Sequence, residues 1–501
     1  MGLMSFIKLY ARLLVLGACV LALCRVDAAT QWVEEGDHKW RSLEVSTGSG
    51  SGSGFTLLNP DLTGIHFRND LGAEKSLQNQ VYLNGSGVAL GDVNGDGLCD
   101  IYLCSLDGLN HLYLNKGSWK FEESAKSYGV DCANKDSTGA ALSDLDGDGD
   151  LDLIVNTIHS GTLLFRNNGA GFSQALGQAA GMDKARGGMS VAIADIDGDG
   201  LLDFYVAHYR DTTLMDMPNA YFKFRTIGNR KVISTVNGVA VKGSKLENRF
   251  RLNERGGIEE NGLPDVLYRN LGQFRFERNV VGGGRFMAAN GAPLPGTLFE
   301  WGLSVMFRDI NRDGHPDLYV CNDFDGEDRL WLNVGQGRFR ETPSLALRKT
   351  SMFSMGIDFA DMNRDGLDDF IVVDMLNRDR WTRKNQMIPR VQYTPVPGKF
   401  NDQPQAMRNT LFLNRGFSLF SEIANFAGVA ASDWAWCPMF IDVDLDGFED
   451  LLVTNGVERN ARHLDTIIKL RKQRESRTIT TREILLARKI FPAQNTANVA
   501  F

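Results

Sequence analysis

The stretch DVNGDGLCD at residues 92–100 places acidic or amide oxygens at its first, third, fifth and ninth positions and a glycine at its sixth. The pattern returns as DLDGDGDLD at 144–152, DIDGDGLLD at 195–203, DINRDGHPD at 309–317, DMNRDGLDD at 361–369 and DVDLDGFED at 442–450. The six starts are separated by 52, 51, 114, 52 and 81 residues, so a unit is about 52 residues long with two longer intervals. Apolar and small residues such as Val88-Ala89-Leu90 precede each copy. A β-type run such as Ile101-Tyr102-Leu103 or Leu153-Ile154-Val155 follows it.

Working outward, a second pattern recurs: HLYLNKGSWKF at 111–121, TLLFRNNGAGF at 162–172, VLYRNLGQFRF at 266–276, RLWLNVGQGRF at 329–339 and TLFLNRGFSLF at 410–420. Asn and Gly between alternating apolar residues signal a hairpin, because both tolerate positive φ. A unit therefore reads as strand, acidic loop, strand, hairpin. Four antiparallel strands per repeat predict an all-β chain, specifically a β-propeller of four-stranded blades. Six loop-bearing blades are visible, and a complete ring is expected to have seven. Residues 208–264 and 376–407 then read as insertions within blades. The final Asn498-Val499-Ala500-Phe501 reads as the opening of a further blade, in a chain that is a truncated form of a longer protein.

The acidic loops point to a cation. Oxygens at alternate positions converge on one point, and calcium takes six to eight oxygens at about 2.3–2.6 Å in flexible geometry. The predicted ligands are Asp92, Asn94, Asp96 and Asp100 in the first loop, Asp144, Asp146, Asp148 and Asp152 in the second, and Asp195, Asp197, Asp199 and Asp203 in the third. The later loops offer Asp309, Asn311, Asp313 and Asp317, then Asp361, Asn363, Asp365 and Asp369, then Asp442, Asp444, Asp446 and Asp450. Soft ligands are absent, which disfavours zinc and copper. An EF-hand would need a bidentate Glu at position twelve, where this chain has Leu103, Val155, Val206, Val320, Val372 and Val453. Several structural Ca2+ ions are therefore expected. The bland alternative, a polar turn without metal, suits one such loop better than six.

The run GVALGDVNGDGLCDIYL (87–103) with its following hairpin resembles FG-GAP/VCBS repeats. More closely it is similar to the branch containing cartilage acidic protein and bacterial proteins ending in an ASPIC/UnbV domain. The resemblance spans roughly residues 61–457 and implies a propeller with structural calcium and binding roles outside the cell, as in the integrin α-chain propeller. No ASPIC/UnbV segment is recognisable, so functions of that domain do not carry over.

The rest of the chain frames this reading. Lys8 and Arg12 precede the apolar Leu13–Leu23, and Val26 and Ala28 suit a cleavage site, so residues 1–28 read as a signal peptide. Cys19 offers a lipoprotein alternative. Residues 29–60, with alternating Gly and Ser at 47–54, read as a linker, 61–457 as the propeller, and 458–501 as a basic, partly helical segment with Thr480 and Glu483 as a capping box. The formal charge is −8; removing Lys8, Arg12, Arg25 and Asp27 with the signal takes away +2 and leaves −10. That balance argues against nucleic-acid binding. No later segment is apolar enough to span a bilayer. Cys99, Cys104, Cys132, Cys321 and Cys437 give an odd number with no CxxC pair. Trp301, Trp434 and Trp436 fit packing between blades better than sugar stacking. The basic run from Arg462 to Lys489 fits a solvated helix better than a polyanion site. No HExxH, Walker loop or GxSxG elbow is present. The expectation is a secreted module, extracellular, periplasmic or surface-associated, that binds a protein or glycan in an adhesion role and is not an enzyme. The alternative is a secreted carbohydrate-active enzyme on a propeller scaffold.

Overall fold

The computed structural model describes residues 33–35, 38–40, 55–175, 182, 187–217, 219–253, 256–324, 326–386, 403–476, 483 and 486–501. The expected signal peptide, the Gly/Ser tract and Thr480 lie outside them. Two compact units are separable: residues 1–56 with 444–446, and residues 57–443 with 447–501. In the first, strands Val33–Glu35 and His38–Trp40 pair antiparallel.

The second unit carries six antiparallel sheets, each built around one acidic loop. The first sheet runs Val88–Gly91, Asp100–Leu103, His111–Asn115 and Phe121–Glu123, hydrogen-bonded in that order. The second runs Ser137–Ser143, Asp152–Thr157, Leu163–Asn167 and Phe172–Ala175. The third leaves the chain after Asp203–His208 and resumes at Val266–Asn270 and Phe276–Val280. Between them residues 209–265 form small sheets of their own, Phe222–Ile227 with Arg230–Val236 and Phe250–Leu252 with Ile258–Glu260. The fourth sheet gains a fifth strand, Phe286–Met287, parallel to Phe339–Glu341. In the fifth, Asp369–Val373 pairs with Thr410–Asn414. In the sixth, Val499–Ala500 pairs with the strand Asp450–Asn455, so the segment between them is an excursion within that sheet.

The second strand of each inner sheet shows why the sheets stack. Successive side chains point to opposite faces of a strand. Leu153 and Val155 pack with Tyr102 and Leu112 of the first sheet, whereas Ile154 packs with Phe204 and Tyr268 of the third. Tyr205 turns towards Leu318, Val320 and Trp331 of the fourth sheet, and Tyr319 towards Phe370 and Phe412 of the fifth. With a neighbour on each face, Leu153, Ile154 and Val155 are all fully buried, and the strand reads as a continuous apolar run. The largest cluster includes Val81, Ile158, Tyr209, Trp301, Phe353 and Val453. Trp301 is part of that packing, edge-on to Tyr209 and Phe324.

The expected closed β-propeller of blades is not formed. The first strands pack in series from sheet one to sheet six, and among the described residues no comparable strand packing joins the sixth back to the first. The end faces show the consequence: Val88 and Leu90 are 55% and 62% exposed, and Met439 and Ile441 are 43% and 38% exposed. The second unit is an all-β arrangement of stacked, mostly four-stranded antiparallel sheets. The acidic motif encodes a sheet; ring closure depends on angles between sheets that the motif does not carry.

A buried polar clasp links the stack. The ninth-position carboxylates Asp100, Asp152, Asp203, Asp317 and Asp369 are at most 1% exposed. Each accepts a backbone N–H from the asparagine ending the third strand of its own sheet: Asn115, Asn167, Asn270, Asn333 and Asn414, at 2.6–2.9 Å. From the second sheet to the fifth, the same asparagine donates its side-chain N–H to the position-two carbonyl of the preceding loop: Asn167 to Val93, Asn270 to Leu145, Asn333 to Ile196 and Asn414 to Ile310, at 2.7–3.1 Å. A second clasp closes the far end of the third sheet, where buried Asp265 accepts from His208 N (2.6 Å) and Tyr205 Oη (2.9 Å).

Two expectations follow from these clasps. Asn167→Leu strips side-chain hydrogen bonds from two carbonyls and should cost about 2–3 kcal/mol in denaturant unfolding; a loss below about 0.5 kcal/mol would make the clasp incidental. Burial pushes the Asp265 carboxyl up to about 8, against which the His208 N–H and Tyr205 hydroxyl act only in part. The folded protein then holds a proton that the unfolded chain releases above its ordinary value of about 3.9. This contribution to stability is complete below that value and is lost as pH rises towards 8. Relative to Asp265→Asn, the parent should lose up to about 1 kcal/mol per pH unit between pH 5 and 8. Parallel profiles for the two proteins would refute the assignment.

Candidate metal centres

Each acidic loop is first folded by its own carboxylates. The first-position oxygens accept the N–H of the sixth-position glycine at 2.7–2.9 Å in all six loops: Gly97 to Asp92, Gly149 to Asp144, Gly200 to Asp195, Gly314 to Asp309, Gly366 to Asp361 and Gly447 to Asp442. Those glycines have φ between 81° and 95°, where a Cβ would be strained. The ninth-position carboxylate accepts the position-two N–H: Val93 to Asp100, Leu145 to Asp152, Ile196 to Asp203, Ile310 to Asp317 and Val443 to Asp450, at 2.9–3.1 Å. The wrap therefore turns the first-position and ninth-position carboxylates in towards the loop's own backbone.

Among the described residues, carboxylates converge in three places. Oxygens of Asp144, Asp146 and Asp152 lie within 4.8 Å of one another, as do those of Asp195, Asp197 and Asp199, and those of Asp442, Asp444 and Asp450. Asp148, Asp203 and Asp446 stand outside those groupings: Asp148 accepts from Asp150 N, Asp203 is held by Ile196 and Asn270, and Asp446 donates its backbone N–H to Asp444. In the first, fourth and fifth loops position three is an amide. Asn94, Asn311 and Asn363 each donate Nδ2 to the position-five carboxylate, Asp96, Asp313 or Asp365, at 3.0 Å. Those three loops thus hold their predicted residues together through an amide bridge rather than as three carboxylates.

The second and third loops carry a further sign of a missing partner. The Asp146 and Asp197 side chains are only 6% and 8% exposed. Oδ1 of each is buried without a hydrogen-bond partner, while Oδ2 meets an arginine, Arg166 or Arg269. Buried carboxylate oxygens are nearly always paired. Electrostatics agree: burial first, then the nearby Asp146 and Asp148 charges, push the Asp152 carboxyl up to about 7 against the N–H donors of Asn167 and Leu145. Burial and neighbouring carboxylates likewise push Asp203 to about 6 and Asp317 to about 7. A divalent cation among these oxygens would remove the repulsion and favour the charged forms.

Two residue sets escaped the sequence reading. The asparagines at 115, 167, 270, 333 and 414 were expected as turn formers. They do serve the turn, accepting for example from Gly117 N and Gly169 N, but they also clasp loop to sheet. Their recurrence in all five hairpins was the available signal. Arg166 and Arg269 gave a signal only when each loop is set against its own third strand. The five cysteines Cys99, Cys104, Cys132, Cys321 and Cys437 are free thiols, and among the described residues no helix is long and apolar enough to cross a membrane.

Fold and loops define a class: all-β repeat proteins whose units turn on an acidic loop. The model of the FG-GAP-like repeat matches residues 92–155, 144–206 and 309–372, which hold the first, second, third, fourth and fifth loops. Over about half of its length the chain is similar to the cartilage acidic proteins. Cartilage acidic protein 1 of Xenopus tropicalis is 27% identical over 291 residues, 53% of this chain and 44% of that protein. The Homo sapiens protein is 25% identical over 298 residues, 52% of this chain and 42% of that one. The chain spans less than half the length of the curated relatives it matches. Among solved structures, an Agrocybe aegerita lectin recognising non-reducing terminal N-acetylglucosamine aligns over 75% of this chain and 77% of its own, at 15% identity and TM-score 0.39. The V. cholerae biofilm matrix protein Bap1 aligns over 74% and 66%, at 12% identity and TM-score 0.30. Likeness at these scores carries no argument about ligand.

Asp146→Asn and Asp197→Asn should each remove one calcium ion per chain at sub-saturating calcium, measured by elemental analysis after desalting. Asp107→Asn, outside the loops, should leave the count unchanged. Equal counts in all three variants would refute the placement of the ions.

Proposed function

We propose that this is an exported, calcium-stabilised module that binds a protein or glycan outside the cell. The observation that carries the metal half is the pair of buried, unpartnered oxygens, Asp146 Oδ1 and Asp197 Oδ1, within groups of three carboxylates. Hard oxygen donors suit calcium, and the nine residues of the second and third loops include no thiol or imidazole; magnesium would keep several waters and rarely takes an all-protein cage. The ligands proposed are the first, third, fifth and ninth positions of each loop, with the second and third loops the best formed. Calcium there has a structural role, because its ligands lie between two strands of one sheet. The reading of residues 1–28 as a signal peptide, together with the similarity to the cartilage acidic proteins, supports export. The binding half rests on the absence of catalytic motifs from the sequence and on that similarity, and places the contact surface in loops and insertions such as 208–264.

Thermal unfolding of the mature protein in excess EDTA and in about 1 mM calcium tests the metal, since an ion that binds only the folded state stabilises it by about 3 kcal/mol at a hundredfold excess over Kd. The expected result is a higher midpoint with calcium and several ions per chain. No shift and no bound calcium would sink the assignment. For the binding half, calcium-dependent capture on extracellular-protein and glycan arrays without turnover is expected. Turnover of a polysaccharide, lost on changing an acid outside the six loops, would overturn it.

A further inference from the structure

Five acidic loops are followed by a third strand ending in the clasping asparagine. The residue just before that asparagine is Leu114, Arg166, Arg269, Leu332 or Leu413 in turn. Position three of the same loops is Asn94, Asp146, Asp197, Asn311 or Asn363. An acid at position three therefore goes with an arginine on the strand, and an amide goes with a leucine. Counting positions one, three, five, nine and the strand residue, the second and third loops hold four carboxylates and one guanidinium, while the other three hold three carboxylates. Every one of the five sets sums to −3.

The geometry shows how the balance is kept. Arg166 Nε lies 2.5 Å from Asp146 Oδ2 and its Nη2 lies 3.2 Å from Asp148 Oδ2. Arg269 repeats the arrangement on the next sheet, 2.5 Å from Asp197 Oδ2 and 3.3 Å from Asp199 Oδ2. In both, the guanidinium takes the outer oxygen of the third-position carboxylate and leaves Oδ1 buried and unpartnered. Both arginines reach the loop from the strand side while their own side chains stay 52% and 27% exposed.

We propose that Arg166 and Arg269 are built-in counter-ions of the second and third loops, which hold the extra carboxylate in place without a cation and set the affinity at which a divalent cation binds beside it. This inference rests on the calcium reading above. Arginine keeps its charge at every working pH, so the offset is constant and not a pH switch. A fixed positive charge a few ångströms from a bound ion opposes it, and screening by solvent and salt reduces the effect.

The test titrates the full chain with calcium chloride by calorimetry, comparing the parent with Arg166→Met, Arg269→Met and the lysine variants Arg166→Lys and Arg269→Lys. Each methionine variant should bind one calcium at least about fivefold more tightly, with the gap narrowing as ionic strength rises. The lysine variants should stay near the parent, because they keep the charge. Leu413→Arg, on the half-buried strand position beside the fifth loop, should do the converse and weaken one site. Methionine variants with unchanged or weaker affinity, beside a parent that binds calcium, would overturn the counter-ion role alone. A parent that binds no calcium would overturn both readings.

Discussion

Burying a carboxylate at the ninth position of five of the six loops is the constraint on which the rest of the structure depends. A buried charge is costly unless donors surround it, and the donors at hand are backbone N–H groups. One comes from position two of the loop, which forces the chain to wrap back on itself. The other comes from the asparagine at the end of the third strand, which fixes where the hairpin begins relative to the loop. Acidic loop, second strand and hairpin are thus held in one register by a single side chain. The asparagine has an amide of its own to satisfy, and in four sheets it reaches a carbonyl of the preceding loop. The spacing between sheets is therefore written into the same clasp.

This explains which parts of the fold were legible. The apolar, β-branched run Leu153-Ile154-Val155 and its counterparts could be read as strand from composition alone, and the Asn and Gly of the turns marked the hairpins. Strand content and strand order within a sheet are local properties, carried by residues within one period. Closure is not local. Whether the sixth sheet meets the first depends on an accumulated angle across five interfaces, and the exposed Val88, Leu90, Met439 and Ile441 show that the faces which would meet stay open. The sequence between Asp450 and Val499 misled for a related reason. A fragment as short as Val499–Ala500 looks like the start of something new, yet it pairs with Asp450–Asn455 of a sheet begun at Ala435.

For the candidate site, residue type was legible and arrangement was not. The oxygens at alternate positions announced a cation loop, but the sequence gives Asn94 and Asp146 the same standing. In the structure they differ: Asn94 bridges to Asp96 through its amide, whereas Asp146 presents a buried oxygen with nothing bonded to it. Only the second kind of loop is visibly short of a partner. The difference lies in one atom, and it is felt because the surroundings exclude water.

The clasp also limits what a cation can do here. Asp152 already accepts two backbone hydrogen bonds, one on each oxygen, so its position is set before any ion arrives. An ion in the second loop would find one ligand fixed by the sheet and a second, Asp146, steadied by Arg166. What remains to be ordered is the loop itself. Its contribution to stability would then come from relieving repulsion among carboxylates that the fold has already gathered, not from assembling the sheet. A cation with that role belongs to the scaffold, which leaves recognition to the surfaces that the stacked sheets present.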